Sequence, residues 1–197
     1  MKRKWWQRKR VLVSFASIVV GLGFAWFDQY QPAPDRSSPE YTENEEPDYY
    51  GDGLQHREYD AKGRVQQSFT AKRSEHYPNL AITHFFMPHI ITTTDEGKQW
   101  QIDALKGHSK DKDKLLTLID QVTAKPLNVA PSDELLIESP LMLYHSDTQI
   151  AETDQPVQIT SPNGRINAIG MQLNVSEQIL DLHKQVKTRY APPPNPQ

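Results

Sequence analysis

The sequence predicts an all-β domain carried behind a single N-terminal membrane helix. An uncharged apolar stretch near the N-terminus follows a run of basic residues, as in a membrane anchor. From Leu54 onward, apolar and polar residues alternate with period two and helical periodicity is hard to find, which is typical of strands with one buried face. We therefore expect one folded unit, over residues 54–190.

The membrane helix is predicted over residues 11–27. This stretch contains no charge, follows six basic residues within positions 1–10 and ends at Asp28. As a helix it would rise about 25 Å, the short end of what a ~30 Å hydrocarbon core requires, and the flanking tryptophans Trp6 and Trp26 suit the two interfaces. By the positive-inside bias, residues 1–10 stay in the cytoplasm and everything after Asp28 enters the periplasm.

A cleaved signal peptide is the competing interpretation, because it shares the basic start and the apolar core. The one small-x-small site is Gly23-Phe24-Ala25, and aromatic residues follow it directly. That poor site favours retention as an anchor.

Residues 28–53 are predicted to form a tether. They contain Pro32, Pro34, Pro39 and Pro47, eight of the 25 acidic residues and almost no aliphatic side chains, so they cannot bury enough surface to fold alone. A flexible coil of this length spans about 28 Å, and proline and self-repelling charge extend it. The tether therefore keeps the domain close to the membrane.

Five alternating segments mark the predicted strands, and short turn signals separate them. The alternating residues are Val65, Phe69 and Ala71; Trp100, Ile102 and Ala104; Val157 and Ile159; Leu173 and Val175; Leu180 and Leu182. The turn signals are residues 60–63, 95–97, 110–114, 161–164 and 176–177. This spacing predicts an antiparallel β sandwich or roll.

Composition argues against several classes of function. From Leu54 onward, 15 basic residues face 17 acidic ones, which gives no basic patch for a nucleic acid. The absence of cysteine removes disulfides, thiolate metal sites and cysteine nucleophiles. There is no G-x-S-x-G elbow and no phosphate-binding glycine loop, so we predict no catalytic residues and no cofactor.

The seven histidines raise the question of a metal site, but none has a convincing partner. His84 and His89 are five residues apart, which on one strand would put them on opposite faces. Asp111 and Asp113 alternate with lysines, as in a solvated turn. We predict no metal.

Six aromatic and methionine residues admit two interpretations that alternation alone cannot separate. They are either a sealed core or the wall of an apolar trough, since such side chains adapt to irregular apolar ligands. These residues are Phe69, Phe85, Phe86, Met87, Trp100 and Met142.

Several motifs, in order and at these spacings, resemble those of the LptC family, the membrane-anchored bridge component of bacterial lipopolysaccharide export. The resemblance covers nearly the whole chain; the tether is longer and more acidic than is typical of the family, and the tail 191–197 is richer in proline. The motifs are Tyr59 with Gly63, Phe85 or Phe86 just before Pro88, Trp100-x-Ile102-x-Ala104, Leu116-x-Leu118-x-x-x-Val122 and Val186-x-x-x-Tyr190.

The resemblance implies a β-jellyroll open at both ends, with an apolar interior that binds the acyl chains of lipopolysaccharide. It implies that the membrane helix and the N-terminal edge meet an inner-membrane ABC transporter complex, and that the C-terminal edge meets a soluble periplasmic bridge protein of the same fold. We assign the interior to Phe69, Phe85, Trp100, Ile102, Leu118, Ile159 and Leu180, the N-terminal edge to Leu54, Tyr59 and Gly63, and the C-terminal edge to Leu180, Leu182, Val186 and Tyr190.

Two rival functions stay open at this point. One is a membrane-tethered adaptor domain that binds only proteins. The other is an enzyme, which is disfavoured because no nucleophile, base and orienting group can be assembled from these motifs.

Overall fold

The computed structural model describes residues 46–190, which form an antiparallel β structure with one short 3-10 helix, Pro131–Asp133. The predicted membrane helix 11–27, residues 28–45 of the predicted tether and the tail 191–197 lie outside the described residues. Within the described part, no helix is both long enough and apolar enough to cross a membrane. The strands are β1 Tyr49–Tyr59, β2 Val65–Tyr77, β3 Ile82–Phe86, β4 His89–Thr93, β5 Gln99–Asp103, β6 Lys106–Lys110, β7 Leu115–Leu127, β8 Leu136–His145, β9 Ile150–Ser161, β10 Gly164–Asn174 and β11 Ile179–Tyr190.

The domain begins earlier than the sequence predicts. β1 starts at Tyr49, so the predicted boundary at Leu54 falls inside a strand. Tyr49, Tyr50 and Gly51 pair with β2, whereas the sequence predicts that they belong to the tether. Alternation could not reveal this, because most residues of β1 are exposed and few are apolar.

All strands belong to one sheet in which β2 and β7 change partners halfway along. One part of β2 pairs with β4 and the other part with β3. Likewise, one part of β7 pairs with β5 and the other part with β6. β1 continues the sheet beyond β2, and β8 to β11 continue it beyond β7, with each strand antiparallel to the next.

A line of bulges and bends crosses the middle of the sheet. Positive φ angles occur on this line at Gly53, Met87, Asp120, Gly170 and Gln185, and the registers of β7 to β11 shift there. Bulges bend a strand and increase its twist. The sheet is consequently folded over along this line.

We call the two parts half 1, which contains β4 and β5, and half 2, which contains β3 and β6. The halves face each other, because contacts join side chains far apart in the sheet. The Tyr144 hydroxyl in half 2 donates a hydrogen bond of 2.8 Å to Gln67 in half 1. At the loops, Lys98 Nζ donates to Gln178 Oε1 at 2.8 Å. The inner faces of the two halves together enclose the core.

The predicted alternation is confirmed over most of the sheet. Trp100, Ile102 and Ala104 are buried while the residues between them are partly exposed, and all five predicted turns are present. Val65 is an exception, since it is 41% exposed at the start of β2. The all-β antiparallel prediction is therefore confirmed, and the folded-over sheet is consistent with a β-jellyroll.

The last strand depends on a glycine at the β9–β10 turn. Gly164 has φ of +144°, and a Cβ added there would lie 2.1 Å from the Arg189 carbonyl oxygen of β11. Gly97, in the β4–β5 turn, has φ of +84° but no atom within 4 Å of the added Cβ. The two glycines thus share an unusual backbone and differ in the space around them.

We expect Gly164→Ala to destabilise the protein by about 2 kcal/mol more than Gly97→Ala. The backbone strain of ~1–3 kcal/mol is common to both variants, whereas only the first must push β11 away from β10. Urea unfolding of the two variants measures the difference. Equal losses would show that β11 can move at no cost.

Candidate binding interior and free strand edges

A row of apolar side chains, called the apolar row below, runs across the inner face of half 1 from one edge of the sheet toward the other. Each member is paired in register with the next, so their side chains lie side by side. The row begins next to His56 of β1 and ends next to Thr188 of β11. It consists of Phe69, Ile90, Ile102, Ala124, Ile137, Ile159 and Ile166.

All seven residues predicted for the interior lie in or against one core cluster. Phe69, Ile102 and Ile159 belong to the row in half 1, and Trp100 lies beside it on β5. Four of the seven are buried and three are partly buried. The buried ones are Trp100, Ile102, Leu118 and Ile159, and the partly buried ones are Phe69, Phe85 and Leu180.

The fold-over overturns two predictions near Pro88. Phe86 and Met87, considered as core or trough residues, are 38% and 55% exposed, and Met87 has a positive φ at the bend. His84 and His89 lie on different strands, β3 and β4, rather than on one strand. Phe85 and Ile90, the residue after each histidine, both pack on the core, so the two histidines point to the same outer side.

Sequence reasoning missed several of the most deeply buried side chains, among them Tyr144 and Met171. The segment 141–144 is apolar at every position, which conceals which side faces inward.

A cavity of about 240 Å³ opens between the two halves at the β1 end of the interior. Its apolar wall comes from both halves, and Phe69 meets Phe85 edge to face with ring centroids 4.9 Å apart. Charged groups, including Glu58 and Lys114, lie at its rim with 3.8 Å between Oε1 and Nζ. The apolar side chains that line it are Phe69, Phe85, Ile90, Leu115 and Leu116 with the ring of Tyr144, and Gln67 is among the polar ones.

A polar group of three side chains lies at the inner end of this cavity. The Tyr144 hydroxyl, on a side chain 1% exposed, donates to Gln67 Oε1. Burial raises the pKa of Tyr144 to about 12, and the nearby Thr92 hydroxyl partly offsets that effect. Thr92 Oγ1 is itself buried and makes no hydrogen bond of acceptable geometry among the described residues.

The loop side of the fold is also closed by polar contacts. Gln149 in the β8–β9 turn donates through Nε2 to the Thr93 carbonyl oxygen at 3.3 Å. Ser176 in turn donates to Gln149 Oε1 at 2.7 Å. The β4–β5 turn is thus joined to both turns of half 2 that face it, because Lys98 also reaches Gln178.

β1 forms one edge of the sheet and pairs only with β2 among the described strands. Leu54 lies opposite buried Ala71 and faces inward, where it is half-buried. Tyr59 is exposed at the end of the strand, and Gly63 is in the β1–β2 turn. The three residues predicted for the N-terminal edge therefore lie on or beside an edge strand, one side of which is unpaired among the described residues.

β11 forms the opposite edge and, within residues 46–190, pairs only with β10. Leu180 and Leu182 pack on the core, whereas Val186 and Tyr190 are exposed. Thr188 pairs with Ile166, an inward-facing residue, so Val186 and Tyr190 on either side of it lie on the inner face too. The four predicted residues form one inward row that is broken at the bend.

A histidine bridge fastens the start of β1. His76 is nearly buried, and its Nδ1 lies 2.7 Å from Asp48 while its Nε2 lies 3.0 Å from Asp111 in the β6–β7 turn. Only a protonated imidazole donates from both nitrogens at once. Hydrogen bonds to Asp48 and Asp111 raise the pKa of His76, and Tyr49 stacks on its ring at 4.6 Å.

We expect stability to fall as pH rises through the raised pKa of His76. The bridge contributes fully below the ordinary histidine pKa of ~6.5 and is lost once the folded protein releases the proton. Thermal unfolding between about pH 5.5 and 8.5 measures this, and His76→Gln should flatten the profile across that window. An unchanged slope in the variant would show that other groups cause it.

No group of three or more histidine, aspartate or glutamate side chains in the described part of the chain is placed to hold a metal ion. Asp111, one of the acidic residues considered from the sequence, instead contacts His76.

The functional class follows from comparison with protein families. The family described as lipopolysaccharide-assembly, LptC-related, matches residues 12–191. The chain belongs to the LptC family. This confirms the resemblance found in the motifs and associates this LptC-family chain with lipopolysaccharide transport.

A solved structure is also similar to this LptC-family chain. It is LptH from Pseudomonas aeruginosa, described as the LptA homologous periplasmic component of the conserved lipopolysaccharide transport device. Identity is 6%, the TM-score is 0.49, and the match covers 64% of this chain and 95% of that one. No curated protein matches the chain.

Proposed function

We propose that this protein carries lipopolysaccharide across part of the periplasm on the inner face of its folded sheet. The strongest support for this proposal is the apolar row, which runs between the two free edges of the sheet in a chain of the LptC family. A lipid with several acyl chains cannot cross water alone, since each exposed CH₂ costs ~0.8 kcal/mol. The apolar inner face shields those chains, and no catalysis or cofactor is needed.

The protein acts in the Gram-negative inner membrane as a single-pass anchor. Residues 11–27 span the membrane, residues 1–10 stay in the cytoplasm and the β domain faces the periplasm. The domain starts at the level of β1 rather than at Leu54, so the tether is shorter than the sequence predicts and ends before Tyr49.

The family resemblance implies two protein partners, and each of the two free edges offers one of them a strand to pair with. An inner-membrane ABC transporter complex delivers the lipid at the β1 edge and contacts the membrane helix. A soluble bridge protein of the same fold receives it at β11. An edge strand presents unpaired backbone N–H and C=O groups, and a partner strand can satisfy them by extending the sheet. The inward row Leu180, Leu182, Val186 and Tyr190 then continues the apolar face across the joint.

The competing function is an adaptor that binds only proteins, favoured by the tight packing of the core. Detergent extraction of the full-length protein from Gram-negative membranes, followed by mass spectrometry, separates the two. Co-purified lipopolysaccharide, enriched by ultraviolet crosslinking from inner positions, is the expected result. Its absence even after crosslinking would support the adaptor function.

A further inference from the structure

We propose that an acyl chain binds first in the cavity at the β1 end. The Tyr144–Gln67 hydrogen bond then prevents that chain from entering the rest of the interior. This inference rests on the proposed lipid function and adds the direction of loading and the residues that control it.

The cavity is preformed and the space beyond it is filled. At about 240 Å³ it is smaller than the ~300–1,000 Å³ of ordinary ligand pockets, so it accepts part of one chain and not a whole lipid. Farther along the inner face, Ile102, Leu118 and Met142 are fully buried. A close-packed interior admits another group only if its side chains move apart.

The Tyr144–Gln67 hydrogen bond lies where these two regions meet and joins the two halves of the sheet. Separating the halves leaves the phenol hydroxyl and the amide oxygen unpaired in apolar surroundings, which is unfavourable unless another polar group replaces the partner. The lone Thr92 hydroxyl beside them offers a further polar contact. The ligand that passes is therefore an acyl chain whose own ester, amide or hydroxyl group takes over these contacts, rather than a plain alkane.

The rim adds a contact for the head of the lipid. Lys114 is well exposed and its single ion-pair partner among the described residues, Glu58, is 3.8 Å away at the limit of an ion pair. An exposed ammonium group at the opening can turn to the phosphate of a lipid headgroup while the chain occupies the cavity. The cavity and its rim together match an amphipathic lipid that enters chain first.

Photo-crosslinking at two depths tests this in the full-length protein in detergent with added lipopolysaccharide. A photo-crosslinking amino acid replaces either Phe85, in the cavity wall, or Ile159, in the filled region. Each is combined with the intact pair, with Tyr144→Phe or with Gln67→Met. The matched control is Tyr77→Phe, which removes a hydroxyl bonded to Glu75 at 3.2 Å, away from the cavity.

With the pair intact we expect strong crosslinks at position 85 and weak ones at 159. Tyr144→Phe and Gln67→Met should each raise the crosslinks at 159 about fivefold, the change expected for one net hydrogen bond, and leave position 85 unchanged. Tyr77→Phe should alter neither. Two variants are used so that a folding defect in one, detected by thermal unfolding, leaves the other to decide.

The inference is overturned if crosslinks at 159 equal those at 85 with the pair intact, or if neither variant that folds raises them. Absence of crosslinks at both positions in every variant overturns the lipid function itself, and the loading order with it.

Discussion

Deleting residues 182–197 should abolish docking of the soluble bridge protein. The deletion removes most of β11, the unpaired edge of the sheet, together with three of the four inward residues that extend the apolar face. Partner binding by strand addition needs both the backbone groups and that surface. Pull-down of the bridge protein by the truncated chain should fall to background, while assembly with the transporter complex persists.

Deleting only residues 191–197 is the matched control. It removes the proline-rich tail and leaves β11 complete, and proline cannot continue a ladder because it lacks the N–H group. We expect this variant to dock normally. Pull-down at the full level by the longer deletion, with the sheet still folded, would show that docking lies elsewhere.

Phe85→Asp should reduce lipid binding strongly and lower stability by several kcal/mol. The ring lines the cavity and packs against Phe69 and the core, so an isolated carboxylate there is either unpaired or forced to take up a proton. Crosslinking of lipopolysaccharide from Leu116, elsewhere in the cavity wall, and urea unfolding measure the two effects.

Lys72→Asp is the control on the neighbouring strand, since Lys72 is exposed and a surface change of this kind usually shifts stability by less than ~0.5 kcal/mol. Equal crosslinking by the two folded variants would contradict an apolar binding face. Phe85→Ala, which introduces no charge, should give a smaller loss and keeps the test usable if the aspartate variant does not fold.

Alternation was enough to identify strands and most inward residues because one face of the sheet is buried over most of its width, apart from the edge strands. Trp100, Ile102 and Ile159, which alternation predicts to face inward, are buried in the core. Alternation could not show that the strands bend midway, because the residues with positive φ include Met87, Asp120 and Gln185, which have no turn signature. That bend is why Phe86 and Met87 are outside and why His84 and His89 share a side.

Local sequence patterns could not predict the contacts between the two halves either, because these contacts depend on the bend in the sheet. Gln67 and Tyr144 are far apart in the chain and meet only because the sheet folds over. The start of β1 was missed since an exposed edge strand has no buried face to produce alternation. The role of the edges in docking came from the family resemblance and remains a prediction.

Crosslinking from two adjacent phenylalanines tests the central claim most directly. Phe85 faces the interior and packs on the core, whereas Phe86 is 38% exposed on the outer face. The two residues have the same type, strand and local sequence, so they differ mainly in the side of the sheet that they face. A photo-crosslinking amino acid is placed at each position in cells, and lipopolysaccharide adducts are counted after ultraviolet irradiation. A carrier that holds lipid on its inner face should give adducts at 85 and almost none at 86. Equal adducts at both positions, or adducts at 86 alone, would contradict it.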